Sequence, residues 1–170
     1  MIKVRTANLL DISEIQRIEK EYYNGFNCPY ETLKNWIEKS ENFIVAEVDK
    51  EIAGFVFFEY LSEIKDLPFV HEFEYFKDGK FAYISEIGVL KKFQDFEVLQ
   101  KLFEFAVSKI KIDGKKVVIW LTGEKMKHDK IEKKLLIKNN FEEFKKVTSW
   151  ECFPGVFVHD HALWIKKLSP

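Results

Sequence analysis

Two strongly apolar segments separated by only two residues place the tightest constraint on the fold. Residues 42–48 read NFIVAEV and residues 51–61 read EIAGFVFFEYL, with Asp49 and Lys50 between them. Runs of this length and composition are typical of β-strands, and their near-continuous apolar character indicates that both faces of the sheet are covered. The pattern therefore predicts a hairpin within a covered sheet.

Helices and strands alternate along the rest of the chain. Apolar residues recur at helical spacing after residue 11, and Asp11 with Glu14 predicts a capping box at the start of that helix. We expect helices over 11–23, 30–40, 95–112 and 128–139, and strands over 2–7, 42–48, 51–61, 81–90, 115–121, 141–153 and 156–168. The segment 62–80 is either a long loop or an extension of two strands. The order βααβββαβαββ predicts one mixed α/β domain over residues 1–170.

Composition argues against several classes of protein. The net charge of −1 argues against a nucleic-acid-binding surface dominated by Lys and Arg. No segment reaches the roughly 18 unbroken apolar residues of a membrane span, and the N-terminus has no signal-peptide pattern. Cys28 and Cys152 alone make no disulfide framework. We therefore expect a soluble cytoplasmic protein that binds neither nucleic acid nor membranes.

The elements, taken in order, resemble the GCN5-related N-acetyltransferase (GNAT) superfamily over nearly the whole chain. The resemblance is carried by IKVRTANLLDISEIQRIE, FIVAEVDKEIAGFVFF, AYISEIGVLKKFQ, LLIKNNFEEF and DHALWIKKL, in that order and spacing. It implies the GNAT fold, an α/β (α+β) fold with a mixed, mostly antiparallel central sheet of about seven strands flanked by about four helices.

The resemblance also implies acetyl-CoA as the cofactor. In this superfamily the helix after the fourth strand begins in a turn of the pattern Arg or Gln, two residues, Gly, one residue, then Gly or Ala. The glycines let the pyrophosphate reach the free N–H groups of the helix. Here Gln94 takes the Arg or Gln position, but Glu97 and Leu99 replace the two small residues, and Asp95 stands at another position that is often glycine.

Two interpretations of this turn remain open. In the first, Asp95 caps the helix and Glu97 favours its dipole, so that the helix needs no ligand. In the second, residual coenzyme binding persists with help from Lys91 and Lys92, against a repulsion of roughly 1 kcal/mol in water for one like-charge pair. The cofactor-binding positions that the resemblance implies are Ile87, Val89, Gln94, Asp95, Phe96, Glu97, Val98, Leu99 and Asp129. We expect acetyl-CoA binding to be weak or lost.

The resemblance places a catalytic general base at Glu86. Its neighbours Ile84, Ile87 and Val89 are apolar, and partial burial would favour proton uptake by the carboxylate. The alternative is a structural Glu that hydrogen-bonds backbone at the sheet edge. The superfamily's general acid, a Tyr, falls on Leu136, which has no proton to donate.

Other constellations carry less information. Asn140 stands where the superfamily has a glycine, and we expect it to form a left-handed helix cap. His159 and His161 share one face of a strand, but ordinary histidines are the simpler interpretation, and we assign no metal. No motif supports a nucleophilic cysteine. The segment FVHEFEYF at 69–76 would line a site for a cationic amine, cover a partner in a homodimer, or form a plain hairpin.

Three hypotheses for the function follow. The first is an N-acetyltransferase that moves an acetyl group from acetyl-CoA to the primary amine of a small molecule or peptide. The second is a catalytically inactive GNAT-fold protein that serves as a binding or interaction module, suggested by Asp95, Glu97, Leu99 and Leu136. The third keeps the groove of the fold and binds a different small molecule. A fold alone does not decide among them.

Overall fold

The structure is a computed structural model of the 170-residue chain. It describes residues 1–23, 25, 27–60, 79–93, 96–123, 129–153 and 156–168. The side chains of residues 129, 150–153 and 156–159 are not part of this description.

Seven strands and four helices make up the described residues, in the predicted order. The strands are β1 (Ile2–Thr6), β2 (Phe43–Val48), β3 (Glu51–Tyr60), β4 (Phe81–Val89), β5 (Val117–Gly123), β6 (Glu142–Phe153) and β7 (Val156–Lys167). The helices are α1 (Ile12–Tyr22), α2 (Tyr30–Lys39), α3 (Phe96–Ile112) and α4 (Asp129–Lys138), with 3-10 turns at Leu9–Asp11 and Lys91–Phe93. The predicted order is therefore confirmed. Within the described residues, no helix has the length and apolar character needed to cross a membrane.

The strands form one mixed sheet in the order β1-β2-β3-β4-β5-β7-β6. The pairs β1/β2, β2/β3, β5/β7 and β6/β7 are antiparallel, whereas β4 and β5 are parallel. Asp49 and Lys50, which join β2 to β3, have φ angles of 50° and 72°. Positive φ at both central residues is what a two-residue type I′ turn requires. The predicted hairpin and the mostly antiparallel sheet are both confirmed.

The chain forms two compact units, and the first comprises Met1–Phe58 and Ser85–Lys109. Its core is rich in phenylalanine: the ring of Phe43 stacks on those of Phe55 and Phe57, at centroid distances of 5.5 and 5.2 Å. Full burial of such a side chain contributes roughly 1.5–3 kcal/mol. The expectation of a single domain over the whole chain stays a prediction.

The second unit comprises Glu59–Ile84 and Ile110–Pro170. Its buried core contains Phe81, Tyr83, Val117, Ile119, Leu121 and Leu163. At the end of α4, the Phe141 N–H donates to the Leu136 carbonyl at 3.0 Å and the Asn140 N–H to the Ile137 carbonyl at 3.1 Å. These two bonds define a Schellman motif, and Asn140 has a φ of 57°. The left-handed cap predicted at Asn140 is confirmed.

The start of α1 corrects one prediction. Asp11 makes no side-chain capping bond to α1, so the predicted box with Glu14 is wrong. The capping box lies one turn earlier, where the Asn8 side chain accepts from the Leu10 N–H and the Asp11 carboxylate accepts from the Asn8 N–H. The same carboxylate binds the Arg5 guanidinium at 2.7 and 2.8 Å. This bidentate, charge-assisted pair holds Asp11 on the strand side of the helix start.

Candidate active site

Strand β4 carries one carboxylate, Glu86, among buried neighbours. Ile87 and Val89 are each 2% exposed, whereas Glu86 is half-buried. The strand packs tightly here because Gly88 has no side chain: a Cβ at this position would lie 2.8 Å from Cε1 of Phe55. The structure therefore places Glu86, a half-buried residue, on a closely packed strand.

A second carboxyl group, Glu19 of α1, contacts Glu86. Glu19 is 1% exposed, and one of its carboxylate oxygens lies within 4.8 Å of one of Glu86. The Glu19 Oε2 atom accepts from the Cys28 N–H at 2.8 Å. The sequence patterns do not predict Glu19 as a site residue, because α1 is predicted from its helical spacing alone.

Cys28, between α1 and α2, completes the cluster. Its Sγ lies 3.8 Å from Glu86 Oε1, and the residue is fully buried. The Gln16 side-chain amide donates to the Cys28 carbonyl at 2.8 Å and so fixes the loop to α1. One ligand atom from each of the three residues lies within 4.8 Å of the others. We call Glu19, Cys28 and Glu86 the carboxyl–thiol cluster, and it lies wholly within the first unit.

Burial controls the protonation of this cluster. Desolvation raises the pKa of Glu19 above its ordinary value, against smaller lowering effects of the hydrogen bonds with Glu86 and the Cys28 N–H. Desolvation also raises the pKa of the Cys28 thiol, and the nearby Glu86 and Glu19 carboxylates raise it further. Cys28 is therefore a thiol rather than a thiolate at neutral pH, which argues against a nucleophilic role.

The hydroxyl of Tyr23 forms hydrogen bonds with both backbone groups of Ile87. It donates to the Ile87 carbonyl at 2.7 Å and accepts from the Ile87 N–H at 3.3 Å. A ligand that used this N–H would have to displace the Tyr23 hydroxyl. The assignment of Ile87 and Val89 to the coenzyme stays a prediction.

The predicted coenzyme turn is only partly described. Residues 94–95 lie outside the described residues, so capping of α3 by the acid at position 95 is untested. Helix α3 begins at Phe96, and Glu97 is exposed in its first turn, where an acid favours the helix dipole. Val98 and Leu99 are buried, at 1% and 3% exposure. Their side chains therefore pack inside the protein, away from solvent.

The described part of this turn does not fit a tightly held pyrophosphate. The Lys91 N–H donates to the Glu21 carboxylate, and Lys92 Nζ lies 2.6 Å from Glu51 Oε2. A backbone donor and a cation that would hold the anion are thus already bonded to carboxylates of the chain itself. Glu97 adds another negative charge at the helix start. The Lys91 N–H and the Lys92 ammonium group are thus bonded within the chain, whereas capping of α3 by residue 95 stays a prediction.

The remaining predicted positions give less information. Asp129 is the first residue of α4, but its side chain is outside the described part. Leu136, at the position of the superfamily's general acid, is fully buried. His161 is half-buried, while the side chain of His159 and residues 61–78, which include the FVHEFEYF segment, lie outside the description.

Comparison with known proteins identifies the fold. No family model and no curated protein matches the sequence. The ribosomal-protein-S18-alanine N-acetyltransferase of Escherichia coli matches with a TM-score of 0.72 at 13% identity, over 100% of this chain and 96% of that one. An N-acetyltransferase of Staphylococcus aureus Mu50 matches at 0.75 and 15%, over 99% of both chains. The protein yncA of Salmonella typhimurium, solved with acetyl-CoA, matches at 0.73 and 14%, over 99% and 94%.

These three matches cover 99–100% of this chain, so the likeness extends over all of its strands and helices. At such low identities the likeness establishes the fold and leaves the activity to the residues of the site. The resemblance found in the sequence is confirmed at this level: the chain has the fold of the GCN5-related N-acetyltransferase superfamily.

Proposed function

We propose that the protein is an N-acetyltransferase that acts on the primary amine of a small molecule or peptide, with Glu86 as the general base. The observation that carries the proposal is the contact between Glu86, half-buried on β4, and the fully buried carboxyl of Glu19. Buried carboxyl pairs are unfavourable for stability, and strongly perturbed titratable groups concentrate at functional sites. The strand position is also the one at which the resemblance expects a base.

The three residues of the carboxyl–thiol cluster differ in burial, and each therefore has a different role in the proposed reaction. Glu86 is half-buried and its Oε2 atom is buried, so Oε1 is the oxygen that would accept a proton from an ammonium group. Glu19 is buried beneath it and meets no substrate. Cys28 remains a thiol, which favours direct transfer to the amine over a thioester on the enzyme.

Acetyl-CoA would supply the acetyl group as an activated thioester. Because the described turn does not fit its pyrophosphate, we expect the protein to bind it weakly. Leu136 offers no proton to a leaving thiolate. The expectations of a cytoplasmic location and a homodimer stay predictions.

The occupied turn favours a second candidate function, a GNAT-fold binding or interaction module without catalysis. Its support is that Lys91 and Lys92 already bond to Glu21 and Glu51. This candidate explains the turn but gives no reason for the buried carboxyl of Glu19.

The test combines coenzyme titration with a thiol-release assay. Calorimetry with acetyl-CoA, followed by release of free coenzyme A in the presence of a panel of primary amines, measures binding and turnover separately. A general base contributes about 10²–10⁴-fold, so Glu86→Gln should lower kcat/KM at least about a hundredfold. Glu143→Gln, at an exposed position of β6, is the matched control and should behave as wild type. No binding up to millimolar acetyl-CoA and no thiol release would overturn the proposal and favour the binding module.

A further inference from the structure

Glu19 is an acid in a position that normally belongs to an apolar residue. It lies on the buried stripe of α1 together with Ile15, Ile18 and Tyr22, and is 1% exposed. Among the described residues, no Lys or Arg forms an ion pair with it. A buried, unpaired carboxylate is strongly unfavourable, so the charge of Glu19 has to be neutralised.

We propose that Glu19 and Glu86 bind one proton between them, and that Glu19 thereby acts as a positioning residue for Glu86. A carboxylate oxygen of Glu19, which is 1% exposed, lies within 4.8 Å of one of Glu86, and no described N–H or O–H group donates to Glu19 Oε1. Two ionised carboxylates at this distance repel each other, and a proton bound between them removes that repulsion. The role of Glu86 as base rests on the proposed function, whereas the shared proton does not.

The bonding of the individual oxygens supports this assignment. Glu19 Oε2 accepts from the Cys28 N–H at 2.8 Å. Glu19 Oε1 and Glu86 Oε2 are both completely buried, and Oε1 meets no N–H or O–H donor elsewhere in the described residues. A proton between the two carboxyls satisfies a buried oxygen that the rest of the described chain leaves unsatisfied.

Two titratable groups among the described residues lie next to the pair, and neither adds a charge to it. The Cys28 thiol faces Glu86 Oε1 at 3.8 Å from the loop after α1 and remains protonated. The Tyr23 hydroxyl, at the end of α1, is bonded to the backbone of Ile87 on β4. A proton bound between Glu19 and Glu86 therefore leaves one negative charge on these two carboxyls.

Two effects act in opposite directions on proton uptake by this pair: burial favours the neutral form, whereas a proton donated by Glu19 stabilises the Glu86 carboxylate. In the proposed reaction, one N–H bond of an ammonium group breaks, its electron pair stays on nitrogen, and an O–H bond forms at Glu86. The cluster then holds two protons and no charge, a state that burial favours. The two carboxyls titrate as one unit with two coupled steps.

Spectroscopy on the full chain tests the shared proton without any activity assay. Protein with 13C-labelled glutamate carboxyls is titrated by NMR, and infrared spectra in H2O and D2O at neutral pH are searched for a protonated carboxyl. In wild type we expect one protonated carboxyl at neutral pH and two resonances with coupled titration steps. This measurement needs no variant, so it does not depend on whether a substitution folds.

Variants then assign the coupling. Glu19→Gln should remove the protonated carboxyl and leave Glu86 with a single titration step, while Glu19→Asp should retain two coupled steps. Glu143→Gln, remote in sequence and exposed, should leave the spectra unchanged. A Glu86 titration that is the same in wild type and Glu19→Gln would refute the proposal. So would a stoichiometric metal ion in the purified protein whose chelation changes both resonances, since a metal would then hold the cluster.

Discussion

The close approach of β3 and β4 beneath Glu86 should make Gly54→Ala destabilising. The added Cβ would lie 2.7 Å from the Gly88 carbonyl oxygen, 2.9 Å from Val89 Cγ2 and 3.1 Å from Leu102 Cδ1. The two side chains have some freedom to rotate, but the carbonyl belongs to the backbone of β4. Overpacking of this kind destabilises by about 1–3 kcal/mol, offset by roughly 0.4–1 kcal/mol from the reduced entropy of the unfolded chain.

The expected net loss for Gly54→Ala is about 1–2 kcal/mol, which for a chain of this size lowers Tm by roughly 2–8 °C. Urea unfolding followed by circular dichroism measures the change in midpoint at constant slope. Gly79→Ala is the matched control, because its Cβ would meet no atom within 4 Å and only its φ of 63° opposes the change. If Gly54→Ala is as stable as wild type, the close packing of β3 on β4 is wrong.

Three further predictions concern single residues. Burial opposes ionisation of Asp11, but hydrogen bonds from Arg5 and the Asn8 N–H lower its pKa below the ordinary value. The stability that Asp11 contributes is therefore present above the unfolded pKa of about 3.9 and is lost as pH falls. The difference in urea midpoint between wild type and Asp11→Asn should narrow from pH 7 to pH 3. Asn140→Ala should lose about 1 kcal/mol because its φ is positive, whereas Asn140→Gly should not, as thermal unfolding would show. Glu97→Gln should tighten acetyl-CoA binding about fivefold in calorimetry by removing roughly 1 kcal/mol of repulsion, and an unchanged affinity would count against an anion near the start of α3.

Local sequence patterns predict the order of the strands and helices because the apolar spacing within a few residues distinguishes a strand from a helix. The apolar runs of β2 and β3 and the two residues between them predicted a hairpin that the structure confirms at Asp49 and Lys50. The capping of α1 was predicted wrongly by the same kind of rule. Asp11 has the right residue type and spacing, but Arg5 on the preceding strand competes for its carboxylate. The capping rule considers only residues at the start of the helix, so it does not include an arginine on the preceding strand.

The site was predictable only in part for a related reason. Glu86 was found by its spacing from Val89 in a strand that resembles a known superfamily, whereas Glu19 was missed. A signal for Glu19 was present: it lies four residues after Ile15 and three before Tyr22, on the apolar stripe of α1. An acid is rarely buried at such a position, so it marks a partner across the interior. Cys28 gives no comparable signal, because it lies in a loop whose path no periodicity determines.

The energetics of Glu19 bear on whether the site is functional. A carboxyl whose pKa is higher in the folded than in the unfolded state binds protons more tightly when folded, so stability falls as pH rises from the unfolded value of about 4.3 through the folded value. At neutral pH this acid therefore reduces stability relative to a well-packed apolar residue of similar volume. Glu19 accepts from the Cys28 N–H and lies within 4.8 Å of the half-buried Glu86, so its carboxyl contacts both the loop and the proposed base. The occupied turn at Lys91 and Lys92 concerns only how firmly an anionic donor is held. Internally bonded donors at Lys91 and Lys92, together with the Glu19–Glu86 pair, thus predict weak binding of the acetyl donor combined with proton transfer at Glu86.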